Sequence, residues 1–164
     1  MPKPSLQKIV PHLWYTREAE EAARFYTSIF PDSQVDRVTS LPADSGVGPE
    51  GSVVIVDFTL FGQTFMAMSA GANDPFNEAI SFRVNCDSQA EIDTYWNALL
   101  KNGGEARACG WLVDRYGVRW QIVPAALAEM MSDPDRTKAA RAAAEMLRQV
   151  KFDIARLKKA FDGR

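Results

Sequence analysis

Hydrophobic and polar positions along the chain switch between two periods. Residues 9–16 (Ile-Val-Pro-His-Leu-Trp-Tyr-Thr) read as a strand, with Pro11, Leu13 and Tyr15 on one face and His12, Trp14 and Thr16 on the other. From Glu18 to Phe30 the apolar residues Ala19, Ala22, Ala23, Tyr26, Ile29 and Phe30 recur at spacings of three and four, which predicts a helix stopped by Pro31. A weaker strand pattern covers 33–41. Residues 42–51, with two Pro and three Gly, read as a surface loop. Residues 52–61 and 64–68 are rich in β-formers and meet at Gly62-Gln63, which predicts a hairpin.

The pattern then restarts. After a linker over 69–75, residues 79–86 read as a strand. Asp87 or Ser88 caps a helix running to about Asn102, with Glu91 as a capping-box partner for Ser88 and Gly103-Gly104 as its end. Short strands are predicted at 106–109, 111–114 and 118–123, closed by Pro124. The two halves match in detail: Ala19-Glu20 with Phe25 six residues past Ala19, and Ala90-Glu91 with Trp96 six past Ala90. Phe61-Gly62-Gln63-Thr64-Phe65 matches Tyr116-Gly117-Val118-Arg119-Trp120 in the same way. Each half is thus β-α-β-β-β, an internal repeat. The tail differs. No strand is predicted past Pro124, and a helix is expected over 135–150, with Ala139, Ala143, Met146, Leu147 and Val150 as its apolar face. Asp153 caps a last short helix carrying Ile154, Leu157 and Phe161. These faces pack on their own sheet or form a dimer contact.

Composition narrows the class. The 164 residues are 46% hydrophobic and 24% charged, enough for a buried core without disulfides or a structural metal. Net charge is −2, from 19 basic and 21 acidic residues mixed along the chain, with no basic stripe, so neither nucleic acid nor an anionic membrane is expected as a partner. No apolar run reaches the ~20 residues of a membrane helix. The opening Met-Pro-Lys-Pro-Ser lacks an apolar signal core, and the expected location is cytoplasmic. Cys86 and Cys109 stand in no CxxC spacing, and a reduced pair is the simpler reading. His12 is the one histidine, so a His-rich zinc site and a Ser-His-Asp triad that omits His12 are both excluded.

Candidate chemistry follows from strand alternation. If helices cover the face of Phe65 and Trp120, then Met66, Met68, Arg119, Gln121 and Val123 point the other way, toward a concave inner face that is the natural pocket. Trp14 and Trp111, each next to polar positions, are expected there too. Cys109 with Arg107 nearby reads either as a nucleophile or as an ordinary buried thiol. Asp114, before Arg115-Tyr116-Gly117, reads as a turn residue rather than a base. Glu78 reads as a general base only in a dry pocket, and otherwise as a strand-entrance residue with a local hydrogen bond.

Specific motifs carry a family resemblance. Pro11-His12-Leu13-Trp14, Ala19-Glu20-Glu21-Ala22, Phe25-Tyr26 and Phe30-Pro31 are similar to the PhnB-like proteins, often labelled 3-demethylubiquinone-9 3-methyltransferase. Phe76-Asn77-Glu78-Ala79-Ile80-Ser81, Gln89-Ala90-Glu91-Ile92-Asp93 through Tyr95-Trp96, and Cys109-Gly110-Trp111-Leu112-Val113-Asp114 with Tyr116-Gly117 match as well, as does the Lys-Phe-Asp-Ile-Ala tail. The double repeat resembles the vicinal oxygen chelate superfamily of glyoxalases, bleomycin-resistance proteins and extradiol dioxygenases. The resemblance implies an α+β fold, two β-α-β-β-β modules forming a cupped mixed sheet (module one 6–70, module two 76–124) with C-terminal helices over 125–164, in a single domain and a homodimer.

The same resemblance implies a divalent metal held by His and Glu. Its usual carboxylate position falls on Gln121 in the second half and Met66 in the first, and its opening-strand positions fall near Pro11 or His12 and near Ala79 or Glu78. At most His12, Glu78 and Gln121 converge, and this donor set is poor, so the expectation is a metal-free protein. S-adenosylmethionine chemistry is not expected either. A Rossmann-type enzyme needs a Gly-rich turn between strand and helix, and the one G-x-G, Gly46-Val47-Gly48, lies in a loop with no helix after it. Three functions remain open: a chelate-type enzyme on a small organic substrate, a non-catalytic small-molecule binder, and a dimeric scaffold. The expected ligand-binding residues are His12, Trp14, Met66, Glu78, Trp111 and Gln121, with no cofactor, and no residue is assigned a catalytic role.

Overall fold

The computed structural model describes residues 7–48, 50–72 and 74–164. The chain divides into two compact units, one up to Asp74 and one from Pro75 onward. Each is built on the same β-α-β-β-β plan.

In the first unit, β1 (His12–Tyr15), α1 (Ala19–Ile29), β2 (Gln34–Ser40), β3 (Val54–Leu60) and β4 (Gln63–Ser69) form a four-stranded sheet of order β1-β4-β3-β2. β1 runs parallel to β4, and the other pairs are antiparallel. A two-residue turn at Phe61-Gly62 joins β3 to β4, and both residues have positive φ, which suits the twist of a tight hairpin. The helix covers one face. Ala19, Ala22, Ala23 and Tyr26 of α1, with Phe30, are buried against Leu13, Tyr15, Val56, Phe58, Leu60, Phe65 and Ala67. Burial of a side chain such as Phe58 is worth about 1.5–3 kcal/mol. Glu18 supplies no side-chain cap to α1. Instead the Ser69 hydroxyl at the end of β4 accepts the Ala19 amide at 3.0 Å, tying helix to sheet.

The second unit repeats this with β5 (Phe82–Cys86), α2 (Gln89–Leu99), β6 (Glu105–Ala106), β7 (Trp111–Val113) and β8 (Arg119–Pro124), in the order β5-β8-β7-β6. β5 is parallel to β8. Ser88 caps α2 by accepting the Glu91 amide. The Glu91 carboxylate reaches back one residue further than the predicted capping box, to the Asp87 amide at 2.7 Å. Ile92, Tyr95, Trp96 and Leu99 of α2 and Val84, Cys86, Leu112, Trp120 and Ile122 of the sheet are buried.

Three expectations need correction. The strand at 106–109 stops at Ala106, because the chain turns at Cys109 (φ 58°) and Gly110 (φ 77°) before β7. A helix not foreseen, α3 (Ala125–Ser132), follows directly on Pro124, whose missing N–H does no harm at a helix start. The helix expected over 135–150 is α4 (Arg136–Met146), capped by Asp135. Its buried face is Ala139 and Ala142, while Leu147 and Val150, expected in that face, are exposed because the helix has ended before them. The last helix, α5 (Ile154–Asp162), is capped by Asp153 as predicted and packs on α4.

The tail is bound to its own unit. The Cys109 and Gly110 amides donate to the Gln149 and Val150 carbonyls, each at 2.8 Å, and Phe152 is buried. A side chain on Gly110 would meet the Phe152 ring at 2.4 Å, so glycine is required there for contact as well as for backbone conformation. Both cysteines are free thiols. No helix among the described residues is long and apolar enough to cross a membrane.

Candidate functional site

Strand alternation leaves each sheet with one face not covered by its own helix. In the first sheet His12 is in register with Met66 and Trp14 with Met68, while Asp57 pairs with Met66 and Ile55 with Met68. Two rows therefore cross this face: Arg37, Asp57, Met66 and His12, and beside it Thr39, Ile55, Met68 and Trp14. None of these eight side chains is buried, whereas Val56, Phe58 and Leu60 of β3 and Phe65, Ala67 and Ser69 of β4 are. Trp14 is 41% exposed, a large apolar surface to leave in water. Arg37 and Asp57 form an ion pair at 2.6 Å.

The second sheet has the equivalent face. Arg83, Gln121 and Trp111 lie in one row across β5, β8 and β7, with Val113 and Arg119 in the next. The Gln121 amide nitrogen donates to the Ser81 hydroxyl at 2.8 Å. Glu78, before β5, is tied to this face by the Arg119 guanidinium at 2.9 Å. The same guanidinium donates to the Phe76 carbonyl at 2.8 Å, so Arg119 anchors the whole 76–78 approach to β5. The hydrogen bond and charge of Arg119 hold the Glu78 carboxyl below its usual value, which makes it a poorer base than an isolated carboxylate. The predicted residues thus fall into two sets, His12, Trp14 and Met66 on the first sheet, and Glu78, Trp111 and Gln121 on the second.

Among the described residues no group of three or more His, Cys, Asp or Glu side chains stands close enough together to hold a metal ion. Asp114 is a structural residue. It is buried, its carboxylate accepts the Tyr116 and Val118 amides at 2.8 and 3.0 Å, and its other oxygen accepts the Trp120 indole at 2.9 Å. Burial pushes the Cys86 thiol up to about 12, so it is an inert core residue. Cys109 sits in the turn that receives the tail.

Arg83 and Asn85 went unnoticed as site candidates, although the alternation Phe82-Arg83-Val84-Asn85-Cys86 places both opposite the buried Val84 and Cys86. Asp57 was missed because, apart from it and Thr59, the strand Val54–Leu60 is apolar. An open groove of about 700 Å³ lies in the second unit, between the start of α2 and the start of α5, and is lined by Ser88, Gln89, Asp93, Lys151, Asp153 and Lys158. Gln89 already fills much of its hydrogen-bonding capacity, to Asp93, the Phe152 carbonyl and the Ile154 amide.

Comparison with known proteins places this architecture. A PhnB protein from Bacillus cereus is 36% identical, with a TM-score of 0.64 over 72% of this chain and 99% of its own. Protein PA1353 from Pseudomonas aeruginosa is 22% identical, with a TM-score of 0.54 over 72% of this chain and 97% of its own. The fosfomycin resistance protein FosX from Mesorhizobium loti shares the fold at 15% identity, with a TM-score of 0.53 over 78% of this chain and 100% of its own. No curated protein matches the chain. The family model described as 3-demethylubiquinone-9 3-methyltransferase matches residues 7–123, a span that takes in both β-α-β-β-β repeats and both uncovered faces. With its doubled module and its likeness to PhnB, the chain belongs to that family, on the fold shared by the glyoxalase and vicinal oxygen chelate proteins.

Proposed function

We propose that this protein binds a small, partly apolar organic molecule on the uncovered faces of its sheets, without a metal and without S-adenosylmethionine. One observation carries the reading: each sheet buries one face under its own helix and keeps on the other a mixture of tryptophan, methionine and hydrogen-bonding side chains. His12, Trp14 and Met66 do this on the first sheet, and Trp111, Gln121 and Glu78 on the second. Apolar surface with a few placed polar groups is the usual chemistry of a small-molecule site.

The family's description names a methyl transfer, but the residues do not suit the cofactor of that reaction in its Rossmann form. The strand-to-helix turns, Thr16-Arg17-Glu18 and Asp87-Ser88, hold no glycine, and both present carboxylates where a dinucleotide-type site wants bare backbone N–H groups. Neither sheet is a doubly wound parallel one. The metal-free reading rests on the donors. Glu78 is held by Arg119, and Met66 and Gln121 are neutral ligands of low affinity for a hard cation.

The test uses the untagged chain purified without chelator. Metal content is measured, and melting is followed with added Mn²⁺, Ni²⁺, Zn²⁺ and Fe²⁺ and with a panel of small aromatic compounds. The reading predicts no tightly held metal, no metal-induced shift, and a compound-induced rise lost in Trp14→Ala or Gln121→Ala. A metal retained in stoichiometric amount, and lost in His12→Ala or Gln121→Ala, would establish chelate-type chemistry in its place.

A further inference from the structure

On the uncovered face of the second sheet the charges do not cancel. Three arginines stand on or beside it. Arg119 is paired with Glu78 at 2.9 Å and Arg107 with Glu105 at 2.7 Å. Glu105 belongs to this face because β6 sets it in register with Val113, which is itself in register with Arg119. Arg83 is the third. Its Nε donates to the Asn85 amide oxygen at 3.0 Å, and among the described residues no carboxylate pairs with it. That bond fixes the Nε edge of the guanidinium, the side chain is exposed, and its two terminal nitrogens make no hydrogen bond among the described residues.

What surrounds Arg83 gives the excess charge a direction. It is in register with Gln121, and Gln121 with Trp111, so the three side chains rise from one row of the sheet. Neighbouring strands stand ~4.8 Å apart, which puts Arg83 and Trp111 roughly 10 Å from each other at the backbone. Gln121 spends its amide nitrogen on Ser81, and its amide oxygen takes no hydrogen bond among the described residues. The row therefore offers a guanidinium fork, a hydrogen-bonding amide and a half-buried indole, in that order.

Resting on the small-molecule reading above, we propose that the ligand of this face is an organic anion, a carboxylate or phosphonate joined to a flat apolar group, with the anion on Arg83 and the apolar group on Trp111. A planar guanidinium recognises such oxyanions through parallel N–H bonds, and an indole presents a large rigid face to the apolar part. Arg119 is not the anchor, since Glu78 and the Phe76 carbonyl already occupy it.

The experiment titrates phenylacetate, phenylphosphonate and neutral phenylacetamide into ¹⁵N-labelled protein and follows the Arg83, Gln121 and Trp111 amides. The parent chain is compared with Arg83→Gln and Arg107→Gln, and unchanged melting confirms that both variants are folded. The proposal predicts that at least one anion binds about tenfold more tightly than the amide, equivalent to about 1.4 kcal/mol. That preference disappears in Arg83→Gln and survives in Arg107→Gln. The ratio of phenylacetate to phenylphosphonate affinity identifies the oxyanion. Equal binding of anions and amide, unchanged in Arg83→Gln, would overturn the anion assignment while leaving the small-molecule reading intact. No shift of these amides with any of the three compounds would overturn both.

Discussion

Replacing Asp114 separates a structural carboxylate from a catalytic one. Three bonds that it accepts close the turn between β7 and β8: from the Tyr116 and Val118 amides on one oxygen and from the Trp120 indole on the other. Asp114→Ala removes the carboxylate that accepts all three of these bonds. Val118 and Trp120 are buried, so water cannot replace the carboxylate for them, whereas Tyr116 is half-buried and recovers part of its loss. An orphaned buried donor costs about 1–3 kcal/mol, which gives roughly 3–5 kcal/mol for the alanine variant. Asp114→Asn keeps an oxygen for the two amides and turns an N–H₂ toward the indole N–H, so it loses one bond and costs about 1–3 kcal/mol. Trp120→Phe removes the indole donor, and on that background Asp114→Asn costs less, by about 1 kcal/mol or more of coupling. Urea unfolding of the four proteins measures each value. In a chain of this length 1 kcal/mol also moves the melting temperature by about 2–4 °C. Equal losses for Asn and Ala, or no coupling to Trp120, would refute the assignment of these bonds. Unchanged stability with lost ligand response would return Asp114 to the list of chemical candidates.

Other expectations follow from particular contacts. Gly110→Ala places a methyl group 2.4 Å from the Phe152 ring and 2.7 Å from the Ile122 carbonyl at a positive φ; a loss of roughly 2–4 kcal/mol is expected by urea unfolding, with faster tryptic cleavage after Lys151. Cys86, with its thiol pushed up to about 12 by burial, resists a thiol-reactive disulfide reagent at pH 8 until the protein is unfolded, while the half-buried Cys109 reacts in the native state. Glu78 is held below its usual value chiefly by its hydrogen bond to Arg119, so its contribution to stability is present above pH 4.5, its ordinary value, and is lost as pH falls through its lowered folded value. The melting difference between the parent chain and Glu78→Gln should accordingly shrink in acid, and a difference that grows there would contradict the ion pair.

Much of the fold was legible because its periods are clean. The Ala19–Phe30 spacing and the Ser88 cap reappear at their predicted places, and the hairpin turn falls one residue earlier than expected, at Phe61-Gly62. The matched aromatics Phe65 and Trp120 are both buried, which fixes Met66 and Gln121 on the opposite faces. The tail was harder, because an alanine-rich helix marks its buried side weakly. Ala139 and Ala142 pack while Leu147 and Val150 do not, since the helix ends at Met146 and its successors follow the loop. Helix α3 escaped notice because Pro124 signals an end of strand and a start of helix equally well. In the site, alternation assigned faces, but it could not tell that Arg119 is committed to Glu78 and Arg83 to no carboxylate. That depends on where residues 76–78 return to the sheet, a contact across more than forty positions of sequence.

The central claim is that ligands meet the uncovered sheet faces. It is tested most directly by mapping amide shifts of the ¹⁵N-labelled chain with a mixture of small aromatic compounds. The account predicts that the largest shifts fall on His12, Trp14, Met66, Trp111 and Gln121 and their strand neighbours. Shifts concentrated instead on Ser88, Gln89, Asp153 and Lys158, at the groove between α2 and α5, would contradict it.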